Sequence, residues 1–512
     1  MDASSLTSFF RETARDDRGF YFADSSLGEK PFISYAAMFE QAQQIAGSLK
    51  SLGLRHRFLA AIWMDQTPDC FQAFIAVVLA GGVPVPLHAA AKWEEVREVI
   101  HKVEAEALLT SPHRFLHVEP VLRSNVSTRF IDGATGKLLE SDYGDIPLSR
   151  RYVPPEETAV LFMTSGTTGE PKGIMLSDLN LLTNASAIQE YLNLDSTDNI
   201  LLSKSFGYCS THTSEWFVAL IAGANLFIPA SIPHPLYFVK YIRDSEITFM
   251  CTVPSVVIPL IRSESQPLTN LTSLKKIIIV GGQMPPNLLL RLQEQMPWAL
   301  ISPGYGLTEA SPRVSYLPPS DLRSRPDSVG IPISGVSISI YREGQPVGRD
   351  EVGEVVVNGP GVMLGYYEDH TRTDAVLQHY GLRTADIGYL DKEDYLYVQG
   401  RSDNALNVGG NMVYPEAIEK ILVTHPSVKE VAVTGRPNPV WGQLPLAFVV
   451  LEISKASVEI TKDELYKFCQ KRFSGAQRPA DIVIVEKLPK TRSEKINRDL
   501  LKLMARETAH VD

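Results

Sequence analysis

Residues 164–173, with the sequence TSGTTGEPKG, form a segment that could bind a polyphosphate. The segment contains four hydroxyl side chains, three glycines and Lys172, and it follows an apolar run at 159–163 that predicts a buried strand. Glycines let a backbone approach a ligand closely, hydroxyl and N–H groups donate hydrogen bonds, and lysine adds positive charge. No Gly-Lys-Ser/Thr sequence closes the segment, so it is not a Walker A motif. Taken alone, it could equally be a flexible loop.

Residues 304–310, with the sequence GYGLTEA, could bind a base and a metal ion. The ring of Tyr305 lies between two glycines, so it could stack on a base while the backbone packs beneath it. Thr308 and Glu309 offer the oxygen ligands that Mg²⁺ prefers. The alternative interpretation is a turn before a strand.

Three later segments also carry polar side chains. Asp386, in the sequence RTADIGY, could accept hydrogen bonds from both hydroxyls of a ribose, although an Asp in such a position is more often a turn or cap residue. Taken alone, residues 400–416 predict a β-hairpin turn and the N-cap of a helix at 416–422. The basic segment at 488–498 predicts an exposed turn by composition.

The composition is that of an ordinary soluble globular protein. The 512 residues are 44% hydrophobic and 21% charged, and the net charge is −10, which argues against nucleic acid as the main partner. The four cysteines lie far apart without metal-ligand spacing, which favours a reducing compartment over a disulfide scaffold. Neither a signal peptide nor a membrane span is indicated, so we expect a cytoplasmic protein without a membrane span.

Strands and helices alternate along most of the chain, which is typical of an α/β fold with largely parallel sheets. Apolar runs predict strands at 58–64, 83–87, 108–110, 200–202, 224–228, 249–254 and 276–280. Amphipathic patterns predict helices at 35–49, 70–80 and 93–107. From about residue 329, short strands between Gly, Pro and charged turns predict a small antiparallel β unit. We therefore predict a large N-terminal domain at 1–400, a short polar hinge at 401–404 and a smaller, mobile α+β C-terminal domain at 405–512.

Together, these segments resemble the adenylate-forming superfamily, which contains acyl- and aryl-CoA ligases, firefly luciferase and the adenylation domains of peptide synthetases. The matching motifs occur in the family's order, from residues 79–87 to Lys495, and cover essentially the whole chain. The resemblance implies ATP-dependent activation of a carboxylic acid to an acyl-adenylate, with release of pyrophosphate and then transfer to a thiol. It also implies ATP, Mg²⁺ and the thiol of CoA or of phosphopantetheine as co-reactants.

The resemblance further implies a role for individual residues. The ATP-binding positions are Thr164, Ser165, Gly166, Thr167, Thr168, Gly169, Lys172, Gly282, Gln283, Gly304, Tyr305, Gly306, Thr308, Asp386 and Arg401. The catalytic positions are Thr308, Glu309, which also matches the metal ligand, and Lys495, which matches the lysine that bridges the attacking carboxylate and the α-phosphate. Asp403 matches the hinge residue, and Gly409 and Gly410 match a hairpin that lines the thiol tunnel. The implied substrate-binding residues are His212, Trp216 and Gly281.

Two departures from the family pattern concern the acid. Many acyl-CoA ligases have Phe-His where this chain has Phe206-Gly207, and amino-acid-activating domains usually have Asp where this chain has His212. His212 could bind a polar group of the acid or be a packed histidine bonded to a backbone carbonyl, whereas Trp216 suggests a moderate-sized apolar acid. We expect an acyl- or aryl-CoA ligase, with a free-standing adenylation enzyme that loads a separate carrier protein, or a binding-only relative, as the alternatives.

Overall fold

The computed structural model describes the chain in ten ranges. These are 4–22, 31–118, 128–140, 152–165, 171–229, 235–263, 268–452, 462–473, 475–490 and 496–507. The α-helices within them are Leu6–Glu12, Tyr35–Ser51, Pro68–Leu79, Trp93–Val103, Pro112–Leu116, Asp178–Leu192, Cys209–Thr211, Phe217–Ala222, Pro235–Asp244, Pro254–Arg262, Pro286–Gln295, His370–Val376, Pro415–Leu422, Lys462–Arg472 and Arg498–Glu507. Within these ranges, we find no helix with the length and apolar character needed to cross a membrane.

A nine-stranded sheet is the largest sheet of the N-terminal domain. Its strands, in order across the sheet, are Ile331–Pro332, Arg313–Tyr316, Leu300–Gly306, Lys276–Ile279, Phe249–Thr252, Asn199–Leu201, Asn225–Ile228, Gly19–Phe22 and Phe32–Ser34. The six strands from Leu300–Gly306 to Gly19–Phe22 are parallel to one another. In open α/β sheets, ligands bind beyond the carboxyl ends of such strands. Residues 281–283 and 304–306 both lie at that edge.

The helices around this sheet form where the sequence provides caps and apolar spacing. The helix Tyr35–Ser51 begins after Ser34, whose side chain accepts a hydrogen bond from the N–H group of Ala37. Met38, Ala42 and Ile45, spaced three to four residues apart, are buried on one face of this helix. The helices that we predicted at 35–49, 70–80 and 93–107 are confirmed, although the last one ends at Val103.

Two smaller sheets also belong to the N-terminal domain. One consists of four parallel strands in the order Val83–Pro86, Leu59–Trp63, Ala107–Thr110 and Arg129–Asp132. The other consists of three antiparallel strands in the order Gly365–Tyr366, Pro171–Ser177 and Thr158–Ser165. The strands Thr158–Ser165 and Pro171–Ser177 pair as the two arms of a β-hairpin, which includes the predicted phosphate-binding segment 164–173.

The predicted antiparallel β unit is confirmed as a six-stranded sheet. Its strands are Gln345–Pro346, Ser337–Arg342, Gly353–Asn358, Gly381–Leu390, Leu377–Gln378 and Leu396–Arg401. Their register places Asp386 opposite Arg401 in neighbouring strands. This pairing brings the predicted ribose carboxylate next to Arg401, the first residue of the predicted hinge.

A five-stranded sheet with helices forms the smaller C-terminal domain. The strands are Asn411–Val413, Leu406–Val408, Gly442–Leu451, Val428–Asn438 and Asp481–Ile484. A one-turn 3₁₀ helix, Ser402–Asn404, joins this domain to the strand Leu396–Arg401. The α/β fold class with a large N-terminal and a smaller C-terminal α+β domain is thus confirmed, whereas the domain boundaries and the mobility of the second domain stay predictions.

Candidate active site

A hydrogen bond joins Tyr305 and Asp386, two residues that we predicted to bind the nucleotide. The hydroxyl of Tyr305 donates to Oδ2 of Asp386 at 2.6 Å, and Nη1 of Arg401 lies 3.4 Å from Oδ1 of the same carboxylate. Gly304 and Gly306 flank the tyrosine at the end of the strand Leu300–Gly306. Asp386 and four other residues that we predicted to bind the nucleotide therefore lie together: Gly304, Tyr305, Gly306 and Arg401.

The backbone around Asp386 is shaped for this position. Ala385 has a φ of +60°, in the left-handed region that side chains rarely adopt, and a bulge follows in the same strand. The hydroxyl of Thr384 accepts a hydrogen bond from the N–H group of Asp386 at 3.1 Å. Burial raises the pKa of Asp386 to about 6, against the opposing effect of Arg401. The carboxylate therefore becomes ionised between weakly acidic and neutral pH.

Glu309, Tyr366 and Lys172 form a second group of polar side chains. Glu309 lies in the 3₁₀ helix Thr308–Ala310, and its Oε1 accepts a 2.9 Å hydrogen bond from the hydroxyl of Tyr366. Nζ of Lys172 lies 5.8 Å from the centre of the Tyr366 ring. Burial, together with Arg372, lowers the pKa of Lys172. A lysine and a carboxylate near the same tyrosine have the charges that could bind a phosphate chain and its counter-ion.

The carboxylate of Glu309 has the chemistry of a magnesium ligand. Its Oε2 has no hydrogen-bond partner among the residues that the structure describes. Among these residues, no group of three or more His, Cys, Asp or Glu side chains could hold a metal ion by itself. A single protein carboxylate fits Mg²⁺ that shares its remaining ligands between phosphate oxygens and water.

The hairpin at 164–173 is described only at its base. Thr164 pairs with Lys172, and Ser165 pairs with Pro171, across the two strands. The predicted phosphate-binding residues Gly166, Thr167, Thr168 and Gly169 lie outside the described residues, as does the side chain of Ser165. Contact of this hairpin with phosphate therefore stays a prediction.

The segment Gly281-Gly282-Gln283 follows the strand Lys276–Ile279 at the carboxyl edge of the large sheet. Gly281 has a φ of +78°, which favours glycine. Nε2 of Gln283 donates a 2.8 Å hydrogen bond to the carbonyl oxygen of Val398, in the strand that ends at Arg401. The segment is thus fixed beside the β unit that carries Asp386.

His212 and Trp216 are buried within an aromatic core. His212 is fully buried in a short π-helix, His212–Trp216, and its Nε2–H group donates to the carbonyl oxygen of Phe206 at 2.8 Å. The rings of Phe74 and Phe162 lie 5.0 and 5.1 Å from the imidazole. Burial lowers the pKa of His212 to about 3, so the ring is neutral. These contacts match the packed-histidine alternative, and contact of either residue with the acid stays a prediction.

The hinge and thiol-tunnel positions lie on the C-terminal side of the β unit. Asp403 accepts hydrogen bonds at 3.0 and 3.1 Å from Nε and Nη2 of Arg401, whose Nη1 faces Asp386. Gly409 and Gly410, with φ values of +58° and +86°, form the turn between Leu406–Val408 and Asn411–Val413. Lys495 lies outside the described residues, so its place in the site stays a prediction.

Two side chains of the site were not predicted from the sequence. Tyr366 contacts Glu309 from a position 57 residues further along the chain, and no local pattern indicates this contact. Nδ1 of His88 lies 3.0 Å from Oγ of Ser205 and 2.9 Å from the place that a Cβ of Gly207 would take. Gly207 stands where many acyl-CoA ligases have a histidine. The space beside it is occupied by His88, which comes directly after the predicted strand at 83–87.

Comparisons with known proteins identify the family of this chain. Residues 10–367 match the model of the AMP-binding enzyme family, and residues 417–495 match the model of the AMP-binding enzyme C-terminal domain. The 2-succinylbenzoate–CoA ligase of Bacillus velezensis is 31% identical over 480 residues, which cover 92% of this chain and 93% of that protein. The indoleacetate–CoA ligase of Aromatoleum aromaticum is 28% identical over 487 residues, which cover 93% of this chain and 94% of that protein.

Solved structures of one further protein also match nearly the whole chain. Two of them show the o-succinylbenzoate CoA synthetase of Bacillus subtilis, one in complex with the acyl-adenylate intermediate and one in complex with ATP and magnesium ion. Both have a TM-score of 0.82 at 26% identity and cover 96% of this chain, and the match spans 97% and 99% of those chains.

Proposed function

The chain belongs to the AMP-binding enzyme family and is an AMP-forming acid–thiol ligase, and we propose that it joins a small aryl or acyl acid to CoA through an acyl-adenylate. The relatives described above are CoA ligases for aryl-containing acids, which favours CoA over a carrier protein as the thiol. The chemical co-reactants are then ATP, Mg²⁺ and CoA.

The observation that carries the proposal is the pair of contacts at the two ends of the site. Tyr305 and Asp386 form a 2.6 Å hydrogen bond at the nucleoside end, and Tyr366 joins Glu309 at 2.9 Å beside Lys172 at the phosphate end. An aromatic ring, two carboxylates and a lysine are groups that can bind a base, a ribose, a metal ion and a polyphosphate. The arrangement therefore supports ATP as the substrate.

In the first half-reaction, a carboxylate oxygen of the acid attacks the α-phosphorus of ATP, and the bond to the pyrophosphate oxygen breaks. Asp386 holds the ribose and Tyr305 the base, so that the α-phosphorus is fixed relative to the acid. Lys172 and the hairpin at 164–173 bind the β- and γ-phosphates, which leave together as pyrophosphate. Glu309 would hold Mg²⁺, which when bound supplies positive charge against the phosphate oxygens.

Lys495 is the proposed partner of the two anionic reactants. A carboxylate and a phosphate repel each other, and a lysine between them offsets this repulsion in the transition state. The products of the step are an acyl-adenylate and pyrophosphate.

In the second half-reaction, the CoA thiol attacks the carbonyl carbon of the acyl-adenylate, and AMP leaves as the bond between that carbon and the phosphate oxygen breaks. We propose that the C-terminal domain turns about Asp403 between the two steps. The turn withdraws Lys495 and brings the Gly409–Gly410 hairpin to the thiol. One site then serves both half-reactions.

Acid-dependent exchange between ATP and labelled pyrophosphate tests the proposal. We expect exchange with aryl or short-to-medium acyl acids, and none with α-amino acids. CoA and a phosphopantetheinylated carrier protein, offered separately as acceptors, distinguish the two thiols. A panel of aryl, fatty, α-amino and β-amino acids that gives no exchange at all would contradict the proposed function.

A further inference from the structure

A buried polar cluster lies beneath the end of the strand that carries Tyr305, and the steps described above do not use it. We define this cluster as Ser203, Lys204, Glu215, Cys251 and Arg313. The side chains of Lys204, Glu215 and Arg313 are 6%, 0% and 2% exposed. Charged side chains are rarely buried to this extent unless each one is paired.

Lys204 and Glu215 form an ion pair inside the cluster. Nζ of Lys204 lies 3.1 Å from Oε1 of Glu215 and 3.0 Å from the sulfur of Cys251. The hydroxyl of Ser203 donates to the Cys251 carbonyl oxygen at 2.6 Å and also lies 3.1 Å from Oε1 of Glu215. The other oxygen of Glu215, Oε2, has no hydrogen-bond partner among the described residues.

The guanidinium of Arg313 has a tyrosine and a cysteine as its partners in the part of the chain that the structure describes. Its Nη1 donates to the hydroxyl of Tyr191 at 3.2 Å, and its Nη2 lies 3.7 Å from the sulfur of Cys251. No carboxylate of a described residue lies within ion-pair distance of the guanidinium. The Cys251 sulfur thus lies between two cations, Lys204 and Arg313.

The charges of the cluster do not balance. Lys204 and Arg313 contribute two positive charges and Glu215 contributes one negative charge, so the formal sum is one positive charge. Burial also raises the pKa of Glu215 to about 7, which weakens the one available negative charge near neutral pH. A buried cation without an anionic partner is unfavourable, and an anionic ligand would relieve this.

The cluster shares the π-helix of His212 and Trp216, two residues that the family resemblance implies for binding of the acid. Glu215 belongs to the π-helix His212–Trp216, and Cys251 belongs to the parallel strand Phe249–Thr252. A Cβ on Gly304 would lie 2.4 Å from Nη1 of Arg313, so the guanidinium packs directly against the backbone of Gly304. Successive residues of a strand face opposite sides of the sheet. Arg313 therefore lies on one side of the strand Leu300–Gly306, at Gly304, and Asp386 lies on the other side, at Tyr305.

We propose that the acid is a dicarboxylate, and that Arg313 and Lys204 bind the carboxylate that is not activated. This inference rests on the proposed function, because it assumes that the acid lies between Gly304 and the π-helix. One carboxylate of the acid then reacts with ATP, while the second becomes the missing anionic partner of Arg313. A guanidinium presents parallel N–H donors that match a carboxylate, and a strong preference for a diacid follows.

Thermal-shift measurements on the full chain test this preference without requiring turnover. Wild-type protein is mixed with the unreactive analogue α,β-methylene-ATP and with matched acids: phthalate against benzoate, and glutarate against pentanoate. We expect the diacid of at least one pair to raise the melting temperature more than its monoacid. Titration should show a dissociation constant lower for that diacid by roughly tenfold to a hundredfold, as for hydrogen bonds to charged groups.

Variants at Arg313 identify the group responsible for the preference. Arg313→Met should remove the difference between diacid and monoacid, and Arg313→Lys, which keeps the charge, should restore part of it. Arg342→Met is the matched control, since Arg342 is an exposed arginine in the β unit. It should keep the full difference.

The results separate this inference from the proposed function. Equal stabilisation by diacids and monoacids, or none by either, would overturn the dicarboxylate proposal. This comparison uses wild-type protein alone, so it remains decisive even if Arg313→Met does not fold. Pyrophosphate exchange with monoacids alone would also overturn it but leave the proposed function intact. Stabilisation by diacids without any exchange would instead support the binding site and contradict the proposed ligase reaction.

Discussion

The pH dependence of nucleotide binding should report the ionisation of Asp386. A carboxylate accepts hydrogen bonds from both ribose hydroxyls, whereas a protonated carboxyl group must donate one of its own. Burial raises the pKa of Asp386 to about 6, so this residue changes charge between pH 5 and pH 7. We therefore expect the ribose contribution to ATP affinity to increase as the pH rises through 6.

The size of the effect follows from the ionised fraction. With a pKa of about 6, roughly one tenth of the carboxyl groups are ionised at pH 5 and about nine tenths at pH 7. If only the ionised form binds the ribose, affinity changes by about tenfold, or about 1.4 kcal/mol, over this interval. Tyr305→Phe removes the 2.6 Å hydrogen bond that favours the ionised form, so it should move the transition to higher pH.

The assay compares ATP with 2′,3′-dideoxy-ATP, because the ratio of their dissociation constants cancels the titration of the phosphate groups. The dissociation constant of 2′,3′-dideoxy-ATP divided by that of ATP should increase about tenfold from pH 5 to pH 7 in the wild-type enzyme. In Asp386→Asn the same ratio should be independent of pH. Asp394→Asn, an exposed carboxylate on the same β unit, is the control and should behave like the wild type. A constant ratio in the wild type, or an unchanged transition in Asp386→Asn, would refute the reasoning.

Three further variants test separate parts of the proposal. Lys495→Ala should block adenylation severely and spare thioester formation from preformed acyl-adenylate; equal loss in the two half-reaction assays would reject its role. Asp403→Pro should leave adenylation intact and slow thiolation, and a normal thiolation rate would exclude the hinge. The depressed pKa of His212, about 3, means that the unfolded chain binds the extra proton below pH 6.5, so stability falls as the pH decreases from 6.5 towards 3. His212→Gln should reduce the loss between pH 7 and pH 5 by about 2 kcal/mol in denaturant titrations, and identical pH profiles would contradict the buried neutral ring.

Periodic segments were the most predictable part of the fold. The helix at 35–49 and the strands at 249–254 and 276–280 follow from apolar spacing, because each buries a face that the local sequence already specifies. The strand Pro171–Ser177, the second strand of the hairpin at 164–173, was not predicted. Its first residues are Pro, Lys and Gly, which resemble a loop, and its pairing with Thr158–Ser165 depends on contacts that sequence periodicity does not reveal.

The site was predictable where motifs carry it and unpredictable where distant residues complete it. Asp386 and Tyr305 were identified separately, and the structure supplies the bond between them. The contact of Tyr366 with Glu309, and the position of Arg313 against Gly304, join segments through the tertiary fold. The orientation of His212 towards Phe74 and Phe162 likewise depends on packing, because a histidine can face either a ligand or a core.

The guanidinium of Arg401 contacts carboxylates on both sides of the domain junction, Asp386 through Nη1 and Asp403 through Nε and Nη2. In the mechanism that we propose, nucleotide binding changes the charge and hydrogen bonding that Asp386 offers to Arg401, and so changes what Arg401 offers to Asp403. In that mechanism, nucleotide binding and the angle between the two domains are coupled in free energy, and such coupling is reciprocal. A cross-link that fixes the angle should therefore change ATP affinity by the same factor by which ATP shifts the equilibrium between the two angles.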